Sequence, residues 1–346
     1  MAKKNLYFLQ IHFCKRPAFR PAPACFDPVT RREPAVMPPS RCDDASFLAV
    51  KIITVIFTGA FLLVLFLLCT REPAPAPSQP AVGRTVYGGY GGQGVAVLLF
   101  HAVGGASAGP DTISPEDLEA TFQLLKDCGY VPIDLNRFHD FLEGKAGVPA
   151  RAVLLTFDDG YRDVYEYALP LTEKYRFPAV AFAVTKWFDP YPRPEASRSH
   201  LSAGEAKELL VSGLWQIAGH SYEGHRLAAG PGGVYRPYLL TRTWKPAENR
   251  FESEAEYKAR VWSDIVLDRA ALKRIGVAEP LDFAYPYGAP DPGLIQILKE
   301  AGYVYLYTNE PGLNKPGQDP SRIFRITAGR HPHETMALLA WYFSSN

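Results

Sequence analysis

Cysteine is nearly absent from the larger part of this chain. Of the cysteines at 14, 25, 42, 69 and 128, only Cys128 lies beyond residue 70. That part therefore has no disulfide framework and must fold on a buried core, in a compartment of either redox poise. An excess of charge is missing too. With 37 Lys and Arg against 36 Asp and Glu, no overall basic field recommends nucleic acid as a partner. No internal repeat is visible. No glycine-rich phosphate cradle follows a strand, since the run GGYGGQG ending at Gly94 sits in a linker. Long apolar runs are scarce, and the one present, Ile52 to Cys69 with Phe47–Val50 ahead of Lys51, is long enough to span a bilayer, which takes roughly 20 residues.

That run organises the N-terminal part. Residues 1–46 carry eight Lys and Arg against four Asp and Glu, and positive flanks stay inside. The expectation is a cytoplasmic tail without ordered structure over 1–46, a transmembrane anchor over 47–69, and the bulk of the chain outside the cell membrane. A cleaved signal peptide fits less well, because the run is long and no small-x-small site precedes Arg71. Leu68 before Cys69 disfavours a lipoprotein. The first 36 residues are rich in Pro and Arg, and Met37 is a more economical start. Residues 70–94 read as a linker: four prolines between 73 and 80 keep its first half extended, and the glycines after them loosen the second.

With 47% apolar residues over 346 positions, the chain can bury one large core. Residues 95–346 read as that domain. The run Val95–Phe100 reads as a buried strand ending at His101. Ser114-Pro115-Glu116-Asp117 carries a cap, a proline for the first turn and acids for the helix dipole. Further strands are expected at Ala152–Leu155, Ala179–Val184, Trp215–Ala218, Leu281–Tyr285 and Val304–Thr308. Helices are expected between them at Tyr165–Tyr175, Ser202–Ser212, Glu252–Arg274 and Pro292–Ala301, with loop over Gly230–Arg250. The interspersed charges of Glu252–Arg274 read as a solvated face. Regular alternation of buried strands and helices predicts a parallel α/β sheet closed, or nearly closed, into a barrel.

Chemistry gathers at two strand ends. After the strand at Ala152 the chain reads Thr156-Phe157-Asp158-Asp159-Gly160, two carboxylates on a sharp turn. After the strand at Trp215 it reads His220-Ser221-Tyr222-Glu223-Gly224-His225. In parallel α/β folds ligands collect at the carboxyl ends of strands. Asp159, His220 and His225 are the right residue types for an open two-histidine, one-carboxylate cation site, with Asp158 beside it as a base. Taken singly, Asp-Asp-Gly is common turn chemistry and a loop histidine pair is commonly a surface feature. Their occurrence together at strand ends favours the site.

These segments resemble the polysaccharide deacetylases, the carbohydrate esterase family with the NodB-homology domain. Thr156–Gly160 matches the family's first motif, His220-Ser221 with His225 its second, and Tyr285-Pro286-Tyr287-Gly288 part of its third. The resemblance covers roughly residues 95 to 330 and implies a distorted (β/α) barrel. It also implies a divalent metal, usually zinc, on Asp159, His220 and His225, with Asp158 as catalytic base and the Tyr287 N–H helping to hold an oxyanion. The reaction implied is hydrolysis of N-acetyl groups on a glycan, peptidoglycan or poly-N-acetylglucosamine. An O-acetyl esterase or a catalytically inactive glycan-binding protein are the rivals. Three departures stand out. The histidines are five apart instead of four, as in the branch acting on poly-N-acetylglucosamine. The arginine usual before Pro-Tyr-Gly is missing, so another residue must orient Asp158, and Arg325 is a candidate. The late motif that supplies a general acid has no clean match. His331 and His333 lie in its vicinity but read as a solvated turn, leaving His101 as the alternative acid. Tyr222, Trp187, Tyr191 and Trp244 are aromatic enough to stack on sugars, but packing is an equal reading.

Overall fold

The computed structural model describes residues 94–105, 109, 111–189 and 198–345. The expected tail, anchor and most of the linker lie outside the described residues, as does Tyr191. Among the described residues no helix is long and apolar enough to cross a membrane.

Six parallel strands make the body of the sheet: β1 (Val95–Phe100), β2 (Ala152–Phe157), β3 (Ala179–Ala183), β4 (Trp215–Gly219), β5 (Asp282–Ala284) and β6 (Tyr305–Tyr307). They lie side by side in chain order. One irregular segment takes up both outer edges. Ile323 bridges Tyr307 of β6, and Ile326–Thr327 pairs with β1 through Leu98 and Leu99. A short antiparallel piece, Leu313–Asn314, also flanks β1. The sheet curls back on itself, as the sequence pattern predicts.

Both faces of the sheet are buried, which is why the strands read as continuous apolar runs instead of alternating ones. Ala96, Leu98, Phe100, Val153, Leu155 and Phe157 pack outward with helix α1 (Pro115–Asp127) and α4 (Ala203–Val211). Val95, Val97, Ala152, Leu154, Val180 and Phe182 point inward. There they meet α2 (Leu135–Leu142), whose Phe138, Phe141 and Leu142 fill the interior at the strands' amino ends. Gln216 ties this plug down by accepting from the Leu135 N–H at 3.0 Å. A third cluster joins β5 and β6 to α5 (Glu254–Ile275) and α6 (Pro292–Glu300).

Several elements differ from the sequence pattern. The helix expected at Tyr165 opens as a single π turn, Val164–Ala168, before α3 (Leu169–Tyr175). The stretch expected as loop holds two small antiparallel hairpins, Leu227–Ala229 with Tyr235–Pro237 and Trp244–Lys245 with Arg250–Phe251. These strands are too short to show an alternation. A C-terminal helix, α7 (Pro332–Ser345), packs Leu339, Met336 and Phe343 onto the outer core. The charged helix α5 is only partly a solvated face, for Asp264 and Asp268 are buried on its inner side.

Candidate metal centre at the carboxyl ends of the strands

Side chains of a strand alternate between its faces. Counting by twos from Val95 and Val97, from Ala152 and Leu154, and from Ala218 carries the inward register to His101, Asp158 and His220. Asp159 is out of phase. It reaches the same place because its backbone takes a left-handed φ of 70°, as do Ser221 at 81° and Tyr287 at 62°. Left-handed non-glycine residues cost free energy and persist where their surroundings impose them. Gly160 has no such freedom to give up: a Cβ there would come within 2.8 Å of the Ala183 Cβ, at a φ of 68°.

Asp159, His220 and His225 offer donor atoms that all lie within 4.8 Å of one another. Asp159 Oδ1 stands 3.5 Å from Nε2 of His220 and 3.2 Å from Nε2 of His225. Donors that share one cation at bonds of roughly 2.0–2.2 Å sit roughly 3.0–3.5 Å apart. His220 Nδ1 lies 2.8 Å from the carbonyl oxygen of Ala284. A carbonyl only accepts, so Nδ1 carries the proton and Nε2 turns its lone pair inward. Asp159 Oδ1 is buried without a hydrogen-bond partner among the described residues. An orphaned carboxylate oxygen facing two imidazole nitrogens is costly unless a cation completes it, so the residues present fit a divalent ion. The His225 ring stacks on Tyr287 with centroids 4.7 Å apart, fixing the more exposed of the two imidazoles.

Asp158 is outside this triad, with Oδ2 4.0 Å from His220 Nε2. Arg325 grips it with both arms of the guanidinium, Nη1 to Oδ1 at 2.7 Å and Nη2 to Oδ2 at 2.8 Å. Neither Arg325 nor Asp158 is more than 2% exposed. Arg325 is itself anchored, donating to the Thr308 carbonyl and to Asn309 Oδ1, each at 2.8 Å. It sits on the segment that joins β6 to β1, so closure of the sheet and orientation of Asp158 are one event. Burial would raise the Asp158 pKa, but Arg325, and after it His220, outweigh that and hold the carboxyl below its ordinary value. Asp159 is lowered likewise, burial being overcome by His220 and then His225. His220 is raised: burial opposes, and Asp158 and Asp159 prevail. His225 is pushed down to about 4 by burial and the neighbouring His220.

His101, half-buried at the end of β1, acts electrostatically on both carboxylates. His331 and His333 are exposed and stack on each other, with His331 3.5 Å from Asp117. Trp187 stacks on His200, and Trp244 packs against Phe251 within its hairpin.

A profile of the polysaccharide deacetylase family matches residues 145–306, a span that contains Asp158, Asp159, His220, His225 and Tyr287. Over that span the chain is similar to the polysaccharide deacetylase family. The poly-beta-1,6-N-acetyl-D-glucosamine N-deacetylase of Escherichia coli K12 is 29% identical to it over 224 residues, 62% of this chain and 33% of that protein. The chain thus spans about a third of that relative's length. The enzyme of the same name from Staphylococcus epidermidis is 24% identical over 229 residues, 65% of this chain and 71% of that protein. Among solved structures, a de-N-acetylase from Aggregatibacter actinomycetemcomitans is similar at a TM-score of 0.63 and 27% identity, over 68% of this chain and 95% of that one. Arg325 lies outside the span matched by the family profile. The fold supplies the arginine that grips Asp158 from 167 residues further along the sequence.

Proposed function

We propose that this deacetylase domain is a divalent-metal-dependent hydrolase of N-acetyl groups on a poly-N-acetylglucosamine type of glycan. The observation that carries the reading is one buried carboxylate, Asp158, held in a bidentate arginine grip beside three converging donor side chains. The similarity to enzymes named for that polymer supports the substrate class.

In this reading Asp159, His220 and His225 hold the cation, for which zinc fits the mixed nitrogen and oxygen donors. When bound, it supplies Lewis acidity toward the acetyl carbonyl and acidifies a water. The rest falls to the chain. Asp158, kept ionised by Arg325, takes a proton from the water that attacks the carbonyl carbon. The Tyr287 N–H, set by its left-handed backbone, donates to the oxygen on which charge develops. His101 gives a proton to the departing sugar amine, so that one water and one N-acetyl group become acetate and a free amine. The Tyr287 ring, 43% exposed and stacked on His225, leaves an aromatic edge at the mouth of the site.

The apolar run 47–69 behind a basic flank supports a further element of the proposal, a single-pass anchor that holds the domain outside the cell membrane. The test of function is acetate release by the fragment from Gly94 onward. It is run on oligomers of β-1,6-N-acetylglucosamine, peptidoglycan and acetylated xylan, with and without chelator. The reading expects release from the first, stopped by chelator. Release from acetylxylan alone would make the domain an esterase, and glycan binding with no acetate from any of the three would make it a binding module.

A further inference from the structure

Residues four apart on a helix lie about 40° apart around its axis, and residues five apart about 140°. His220 and His225 therefore cannot serve one cation from a single helical turn, and residues 220–226 form no helix. Something outside the loop must give it its shape. Ser221 needs such support most, since its φ of 81° is unfavourable for a residue with a Cβ.

The loop is held from two sides. On one, the carbonyls of Ser221 and Tyr222 accept from the backbone N–H groups of Thr185 and Lys186, at 3.1 and 3.0 Å. On the other stands Asp264 of α5, 6% exposed. Its Oδ1 accepts from the Tyr222 N–H at 3.0 Å, and its Oδ2 from the Glu223 N–H at 2.9 Å. A carboxylate that takes two successive amides fixes both the place and the direction of a backbone. One turn further along α5, Asp268 accepts from the Thr185 hydroxyl at 2.6 Å and the Tyr303 hydroxyl at 2.5 Å. The same helix face thus steadies the β3 end against which the loop leans.

We propose that Asp264 is a positioning residue for the metal centre: through the Tyr222 and Glu223 amides it presets the five-residue histidine spacing, so that both imidazoles converge on Asp159. It touches no ligand side chain and acts only through backbone. The inference rests on the metal-site reading above.

Asp264→Asn tests it, because the amide keeps the size but offers its NH2 to one of the two N–H groups. Zinc affinity is measured by competition with a chelating dye, alongside the visible spectrum of the cobalt-loaded protein and thermal unfolding of the metal-free protein. Asp282→Asn is the control, a buried aspartate that serves His139 and Tyr307 at the opposite end of the sheet. Partners that orient metal ligands are worth about 10–100-fold in affinity. D264N should lose that much and shift the cobalt bands, whereas D282N should stay within about twofold of wild type while unfolding at lower temperature. Zinc affinity of D264N within about twofold of wild type would overturn the proposal and leave Asp264 a structural residue. Wild-type protein that takes up no zinc would overturn the site reading itself. If D264N does not fold, amide exchange of the metal-free wild type decides: slow exchange at Tyr222 and Glu223 supports a preset loop, and free exchange there refutes it.

Discussion

Replacing Arg325 by Met probes the arrangement most deeply, because one side chain serves both fold and chemistry. The substitution keeps much of the volume and removes the charge. It strands Asp158 and leaves the Thr308 carbonyl and Asn309 Oδ1 without their donor. Breaking a buried pair from one side costs about 3–5 kcal/mol. For a domain of this size that lowers the melting temperature by roughly 6–20 °C. The loss has a pH signature. The Asp158 pKa is depressed in the folded protein, so its stabilising effect is full above the ordinary carboxyl pKa and disappears as pH falls through the depressed value. The stability gap between wild type and R325M should therefore be widest near neutrality and shrink in acid. In the variant burial acts unopposed by the guanidinium, so Asp158 titrates higher and the acid limb of kcat/KM for acetate release moves to higher pH. A misplaced, partly protonated base should cost about 100-fold or more in rate at neutral pH. Arg325→Lys, which keeps a charge but not the fork, should fall between. R325M with kcat/KM within twofold of wild type and an unmoved acid limb would refute the assignment of Asp158 as a base oriented by Arg325.

Other expectations follow from the same geometry. Asp268, fully buried, is raised to about 7 chiefly by desolvation. Its protonated form favours the folded state, so wild type should lose stability relative to Asp268→Asn as pH rises from about 4 to about 7, then level off. Parallel, pH-independent unfolding curves for the two would contradict this. Gly160→Ala, which brings a Cβ against Ala183 at a positive φ, should cost about 1–3 kcal/mol in chemical denaturation and shift the Asp-Asp turn; wild-type stability would show that the turn yields. Leu154→Ala, fully buried in the interior cluster, should destabilise by about 2–5 kcal/mol, and a cost under 1 kcal/mol would mean the interior is loosely packed. Dialysis against chelator should abolish acetate release while the far-ultraviolet spectrum stays the same, with activity restored by added zinc or cobalt. Activity that survives metal removal would argue against the cation reading.

What the sequence made legible follows from local physics. Strands buried on both faces read as unbroken apolar runs, and their ends announced themselves by His101, Asp158-Asp159 and His220-Ser221. Helix α1 was visible through Ser114 and Pro115, whose roles as cap and first-turn residue the structure shows, Ser114 Oγ accepting from the Asp117 N–H. The partners that lie far apart in sequence were harder to read. Arg325 was a candidate to orient Asp158 only because the usual arginine is missing, and the structure bears that out. It sits on an irregular segment, and nothing local says that it also closes the sheet. Asp264 and Asp268 looked like members of a charged outer face, since a sequence of interspersed charges does not reveal which of them turn inward. The hairpins over 227–251 escaped for a different reason: two- and three-residue strands carry no period to detect.

The central claim is a division of labour between adjacent aspartates, one gripping a cation and the other drawing off a proton. Metal content and acetate release, measured on the same preparations of Asp158→Asn and Asp159→Asn, test it most directly. The account predicts that D158N retains about one equivalent of metal and releases no acetate, and that D159N loses both. Acetate release by D158N at the wild-type rate, or full metal content in D159N, would contradict it.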